Sequence, residues 1–356
     1  MNSSGAWTYA RAGVDRSRVS DAVATLVRAA RWSPPASSGT RVEAPGHYAG
    51  LLTVGGTTLA MTTDTVGTKV LLAESLGRWE EIGEDIVGVN VNDLSSVGAR
   101  PAAIVDTILC TAPDPAKFAA LGRGLARGLR KAGCHLLGGE TAVVPDLVKG
   151  LDAGGTAVGY FPEGRSPILG DRIAAGDAIL GIPSEGFHAN GYTLLRRLIE
   201  QEQLDLRRRR PGARKSLGEE LLHPTRIYAK PVESIADDPA VHGLAHISGG
   251  GVRNIARLRG DRKYRLDAWP KPAGLFEWIV DVGDLDVGEA YETFNMGVGF
   301  VVVTEGRSAE RILAVLAKNG APDARRIGSV ELGRTVELPA LGLEYAGYSG
   351  KPRRSV

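Results

Sequence analysis

The chain has 356 residues, enough for two domains with substantial cores. Its 43% hydrophobic and 24% charged residues are ordinary for a soluble globular protein, and a net charge of +2 argues against nucleic-acid binding through bulk electrostatics. No run approaches the ~18 apolar residues needed to cross a bilayer, and two cysteines, Cys110 and Cys134, exclude a disulfide framework. A cytoplasmic protein with two free thiols, and with no nucleic-acid or membrane partner, is expected.

Residues 1 to about 48 read as an arm with one short helix over 17–31, broken by a Ser/Pro/Gly loop at 33–39. A hairpin is predicted over 51–63, turning at Gly55 and Gly56. A helix over 85–97 and a strand over 102–109 follow. Asp114 and Pro115 cap and start a helix whose Phe118, Leu121, Leu125 and Leu129 recur at helical spacing. After Gly133 a strand at 135–137 leads into Gly138-Gly139-Glu140-Thr141, which reads as a ligand-facing bend. A strand is expected over 156–161, and the turn-rich segment 162–176 is the candidate domain boundary. That boundary gives an N-terminal domain over 1–170 and a C-terminal domain over 171–350.

Beyond it the pattern gives a strand at 178–182, helices over 192–203, 217–233, 252–258, 274–280 and 309–318, and a strand at 296–304. This alternation fits an α/β or α+β domain whose helices pack on one sheet face. Arg207 to Arg210 form a solvated loop without the aromatic platforms of a nucleic-acid binder. Gly122, Gly124 and Gly128 imitate a dinucleotide fingerprint but lie inside an amphipathic helix.

Three acids stand beside apolar stretches among small residues: Asp64, Asp93 and Glu140. Mg²⁺ takes one or two carboxylates together with phosphate oxygens, so this trio suggests a metal and ATP site. Gly67, Thr68 and Lys69 would add flexible backbone and a phosphate-facing cation, although the P-loop spacing is absent. Gly186 to Tyr192 lies between a strand and a helix, where backbone N–H groups, His188 and Asn190 could meet an anion. Ser248-Gly249-Gly250-Gly251 offers the same logic before another helix.

Read in order, several segments resemble the aminoimidazole ribonucleotide synthetase family, also called phosphoribosylformylglycinamidine cyclo-ligase. They are Tyr9 to Asp15, Thr63 to Lys69, Val91 to Leu94, Gly138 to Ala142, Gly186 to Tyr192, Leu221 to Tyr228, Ala245 to Gly251 and Thr293 to Gly299. The acid-bearing motifs are shared with thiamine-monophosphate kinase, selenophosphate synthetase and a hydrogenase maturation factor. The second-half motifs are those of the cyclo-ligase. The chain lacks the N-terminal cysteine or selenocysteine of the second relative and the C-terminal cysteine of the third. A homologue that binds nucleotide without catalysis is the other class of reading.

The resemblance implies a two-domain fold, a β-rich dimerising N-terminal domain and a C-terminal α/β domain. It implies a homodimer with a shared barrel, and ATP-dependent ring closure of formylglycinamidine ribonucleotide in purine biosynthesis. Asp64, Asp93 and Glu140 would hold Mg²⁺, and Gly67, Thr68, Lys69, Asn92, Gly138, Gly139 and Thr141 would help to hold ATP. His188, Asn190, Gly249, Gly250, Gly251, Thr293 and Asn295 would shape the substrate site. His47, Lys69 and His188 are the candidates for catalysis, His47 as a proton carrier on a glycine-rich segment that closes over the nucleotide. The chain departs from the family at Val143, where a Glu is usual, and at Glu292, where an Arg is usual.

Overall fold

A computed structural model describes residues 8–30, 35, 38–272, 274–348 and 352–354. The expected loop at 33–39 lies mostly outside the described residues. Helix α1 (Arg16–Ala29) carries Val19, Val23, Leu26 and Val27 at helical spacing, and all four remain more than half exposed. Strands β1 (Thr40–Val42), β2 (Gly50–Val54) and β3 (Thr57–Thr65) are followed by α2 (Lys69–Leu76) and α3 (Glu80–Ser95). Then come β4 (Arg100–Cys110), α4 (Pro115–Ala132), β5 (His135–Val143) and β6 (Leu151–Tyr160).

The first sheet has the order β1-β2-β3-β6-β4-β5, antiparallel except for the β4–β5 pair that α4 connects. Asp114 caps α4 by accepting from the Ala116 and Lys117 amides, and Gly133 ends it in the left-handed conformation. Helices α3 and α4 cover one sheet face at very short range. A Cβ on Gly124 would stand 1.9 Å from the Glu80 carbonyl oxygen, and one on Gly83 would stand 2.1 Å from that of Leu121. Of the glycines that imitate a dinucleotide fingerprint, Gly124 and Gly128 are therefore packing residues, whereas a Cβ on Gly122 would meet nothing within 4 Å. The other sheet face has no helix, and Leu52, Val54, Met61 and Val105 lie exposed on it.

The expected bend at Gly138 to Thr141 is a correction. This stretch is the middle of β5, an edge strand paired in parallel with β4. Gly138 sits at φ 141°, where the register shifts between Ile104 and Val105. A Cβ on Gly139 would meet the Asp106 carboxylate at 2.3 Å. The two glycines serve a bulge and a close strand pair rather than a turn.

The second sheet is built from β7 (Ala178–Pro183), β8 (Val241–His246), β9 (Arg262–Arg265), β10 (Val298–Thr304), β11 (Arg325–Leu332), β12 (Val336–Leu338), β13 (Leu343–Tyr345) and β14 (Pro352–Arg354). Its order is β14-β13-β12-β9-β11-β7-β10-β8, with only β9–β12 parallel, so the domain is α+β. The helices are α5 (Tyr192–Gln201), α6 (Leu217–Leu221), α7 (Ala229–Glu233), α8 (Leu275–Val282), α9 (Val287–Thr293) and α10 (Ala309–Lys318). Central strands β7 and β10 are buried on both sides, as α7 and α10 pack on one face and other elements on the opposite one. The expectation of a single covered face is corrected accordingly.

The single helix expected over 217–233 is two short ones. Pro224 cannot donate to a helical ladder, and Asp85 captures the Thr225 amide and hydroxyl at 2.7 and 2.6 Å. The helix expected at 252–258 is a 3₁₀ turn, Gly251–Arg257. Among the described residues no helix is long and apolar enough to cross a membrane.

Candidate active site

The β3 strand end brings Asp64 into a cleft shared with Asp93 of α3. Asp64 is open to solvent but crowded by protein. That desolvation, followed by the charge of Asp93, pushes its carboxyl up to about 6. A carboxyl held up by a neighbouring carboxylate marks a place where a divalent cation fits, since its charge offsets that repulsion.

Asp93 Oδ1 accepts from His246 Nδ1 at 3.0 Å, and the His246 amide donates to Ser96 Oγ at 3.0 Å. A carboxylate can only accept, so Asp93 keeps a proton on Nδ1 of His246 and orients its ring. The other ring nitrogen is buried and has no partner among the described residues. The His188 ring lies 6.2 Å from that of His246. His188 holds a left-handed backbone at φ 60°, is fully buried, and has both ring nitrogens unpartnered among the described residues. Burial, then the His246 and Lys69 charges, pull its basicity well below the ordinary range, so its imidazole is neutral at pH 7.

Lys69, expected to face phosphates, has its ammonium inside the protein. It forms a 2.7 Å ion pair with Asp85, both side chains fully buried, and donates to the His188 and His223 carbonyls at 2.8 Å each. Asn92 plays a related part, donating to the Arg226 carbonyl and accepting from the Tyr228 amide, at 2.9 Å each. Lys69, Asp85 and Asn92 thus lock the 223–228 segment onto α3. Thr68 Oγ1, just after Gly67, lies 3.2 Å from Thr193 Oγ1 across the same junction.

Glu140 does not join Asp64 and Asp93 within one chain. Pairing places Asp64 in one row with Gly155, Asp106 and Gly139, and Glu140 in the next with Thr107 and Gly154. Alternation sends Glu140 to the helix-free face with Val105 and Thr107, whereas Asp64 shares its face with buried Ala60. Consistent with this, the described residues contain no cluster of three metal-ligating side chains. Gly138 and Thr141 lie on the same edge strand, away from the cleft.

The remaining candidates gather around the glycine loop. A Cβ on Gly249 would stand 3.1 Å from Asn190 Oδ1, one on Gly250 2.7 Å from the Tyr348 ring, and one on Gly251 1.9 Å from the Tyr291 carbonyl. Asn295 is a structural clamp, accepting from Ser184 Oγ and the Gly297 amide and donating to the Gly186 carbonyl. Buried Thr293 Oγ1 lies 3.5 Å from Glu289 Oε1, which also takes the Tyr9 amide at 2.6 Å and so ties down the arm. His47 Nε2 lies 3.0 Å from the Leu169 carbonyl, and burial lowers its basicity. Glu292 pairs with Arg253 at 3.5 Å.

His246 stands two positions before the Ser248 to Gly251 loop, and its role shows only through its contact with Asp93. Asp85 and Arg257 carry no signal in the local pattern, since their partners Lys69 and Tyr48 are distant in sequence.

Residues 46–161 match the family model for the AIR synthase related protein N-terminal domain, and residues 174–339 match that for its C-terminal domain. A phosphoribosylformylglycinamidine cyclo-ligase of Methanothermobacter thermautotrophicus is 40% identical over 94% of this chain and 97% of its own length. One from Pyrococcus furiosus is 42% identical over 96% and 98%. Among solved structures, a HypE-HypF complex aligns at TM-score 0.64 with 19% identity, over 94% of this chain and 98% of that one. AaThiL complexed with AMPPCP and TMP aligns at 0.62 with 16% identity, over 91% and 93%. At these identities the structural likeness concerns the fold alone.

Proposed function

The chain belongs to the AIR synthase related family, and from its near-full-length likeness to phosphoribosylformylglycinamidine cyclo-ligases we propose that it closes the imidazole ring of 5-aminoimidazole ribonucleotide at the expense of ATP. The observation that carries this reading is the cleft where Asp64 and Asp93 meet buried, neutral His188 and Asp93-bound His246.

The formamide oxygen of formylglycinamidine ribonucleotide is a poor leaving group. It attacks the terminal phosphorus of ATP, and ADP leaves. The neighbouring nitrogen then attacks the activated carbon, the C–O bond breaks with departure of phosphate, and loss of a proton completes the ring. Such chemistry depends on positioning and on neutralised phosphate charge. Asp64 and Asp93 are the residues that would hold Mg²⁺, which when bound supplies that neutralising charge. His188 and His246 present ring nitrogens in a water-poor environment, suited to orienting the amidine by hydrogen bonds. Asn190 and the 249–251 backbone border the substrate.

ADP release measured with formylglycinamidine ribonucleotide and, separately, with thiamine monophosphate tests the reading. At least about 100-fold preference for the first is expected, the scale set by a site whose buried polar groups must be matched. Preference for thiamine monophosphate, or release with neither, overturns it.

The same reading makes the protein a cytoplasmic homodimer, with residues 1–170 as its ATP-binding and dimerising unit and 171–350 as the second domain. Its support is the helix-free sheet face carrying Met61 and Val105, together with the edge strand where Leu136, Leu137 and Val143 are exposed. Open apolar sheet faces and unpaired edges are ordinarily covered. A second copy laid on this face would also enclose Glu140 and bring it into the shared interior. In sedimentation velocity at micromolar concentration the parent is expected as a dimer, and Leu137→Asp as a monomer with little turnover. A parent that is monomeric and fully active contradicts this.

A further inference from the structure

Arg257 closes the 3₁₀ turn that follows the glycine loop. Its guanidinium carbon stands 4.8 Å from the Tyr48 ring centroid and 4.3 Å from that of Tyr348. Its Nη2 donates to Tyr348 Oη at 2.7 Å, and Tyr48 is itself pinned by bonds to the His246 and Asn254 carbonyls at 3.0 Å each. The side chain is thus held rigid between two rings.

Its charge, by contrast, is answered only at a distance, by Asp93. Nε is buried with no partner, and among the described residues no carboxylate comes within ion-pair distance of the guanidinium. Arg165, Arg226 and Arg253, which are also deeply set, have acids at 2.6, 2.8 and 3.5 Å. Fixing a partly desolvated cation without an anion beside it is costly unless one arrives from outside.

The place where it could arrive is adjacent. Arg257 borders a cavity of about 560 Å³ between the glycine loop and the arm, walled by Gly249, Arg253 and Tyr348 on one side and by Tyr9 and Val23 on the other. Asp21 of α1 also lines it. Across from the cavity, the field of Arg257 reaches Asp64 and Asp93. A planar guanidinium with its fork preorganised matches phosphate oxygens better than an ammonium does.

We infer that Arg257 is the docking point for a phosphoryl group of a reactant bound in this cavity. That group is either the phosphate monoester of the ribonucleotide or the terminal phosphate of ATP. The inference rests on the ring-closure reading and specifies which residue of that site carries the charge.

Arg257→Gln and Arg257→Lys in the full chain test it by titration calorimetry. The probes are formylglycinamidine ribonucleotide and, separately, a non-hydrolysable ATP analogue with Mg²⁺. The Gln variant is expected to weaken one of the two by about 30-fold or more, as for a lost hydrogen bond to a charged group. The Lys variant should restore only part of that loss. Loss confined to the ribonucleotide assigns the monoester, and loss confined to the analogue assigns the terminal phosphate. If the Gln variant does not fold, the Lys variant carries the test, with an expected loss of about fivefold. Affinities within twofold of the parent for both probes in a folded variant overturn the inference. Absence of parent turnover with the ribonucleotide would sink the ring-closure reading instead, while inorganic phosphate binding by parent and variant still reports on Arg257.

Discussion

Asp64→Asn is expected to lower ATP-dependent turnover about 10³-fold while leaving the protein at least as stable as its parent. The first half follows from the chemistry. An amide cannot supply the negative charge that holds a cation against transferring phosphate, and loss of one such preorganised group costs about 10²–10³ in rate. The second half follows from the carboxyl's value of about 6, against ~3.9 for an unfolded aspartate. A folded state that grips the proton harder loses stability as pH rises from about 4 through 6, when the unfolded chain ionises more readily. Asn has no such loss, so above pH 6 the variant without nucleotide should melt at the same temperature as the parent or higher. Near pH 4 that advantage should vanish. The gain is small because solvent reaches Asp64. Thermal melts with and without Mg²⁺–ATP give an independent reading, in which the parent rises on ligand addition and the variant does not. Unchanged turnover in Asp64→Asn would remove Asp64 from the site altogether.

What the sequence disclosed, and what it hid, divides along a physical line. Local signals were legible where local physics decides. Asp114 with Pro115, the Gly133 stop and the apolar period of α4 placed that helix, because caps and periodicity act within a few residues. Glu140 was misplaced in space because β5 pairs with β4, and the register decides which face a side chain takes. The glycines around it looked like a bend because strand glycines for close approach and turn glycines are identical in one dimension. Lys69 looked like a phosphate ligand because its partner, Asp85, lies sixteen positions away on the next helix. His246 and Arg257 take their meaning from Asp93 and Tyr48, contacts that only the packed domains create.

Lys69→Met should cost about 3–5 kcal/mol of folding stability, the scale for removing one partner of a buried ion pair. Asp85 would remain fully buried with a charge answered only by Thr225. Two carbonyls, of His188 and His223, would also lose their donor. The thermal midpoint should fall by on the order of 10 °C. Asp85→Asn should cost less. An amide oxygen still accepts from Thr225, and Lys69, whose basicity burial already pulls down, can shed its proton. The double variant Lys69→Met/Asp85→Asn should recover part of the loss, because no unpaired charge remains, and that recovery measures the coupling of the pair. The cycle also decides between two roles for Lys69. A phosphate-facing lysine would give Lys69→Met an unchanged melting temperature and a raised KM for ATP. The buried pair instead predicts a large melting shift that Asp85→Asn partly relieves. Turnover would fall chiefly because His188 is no longer held against α2 and α3.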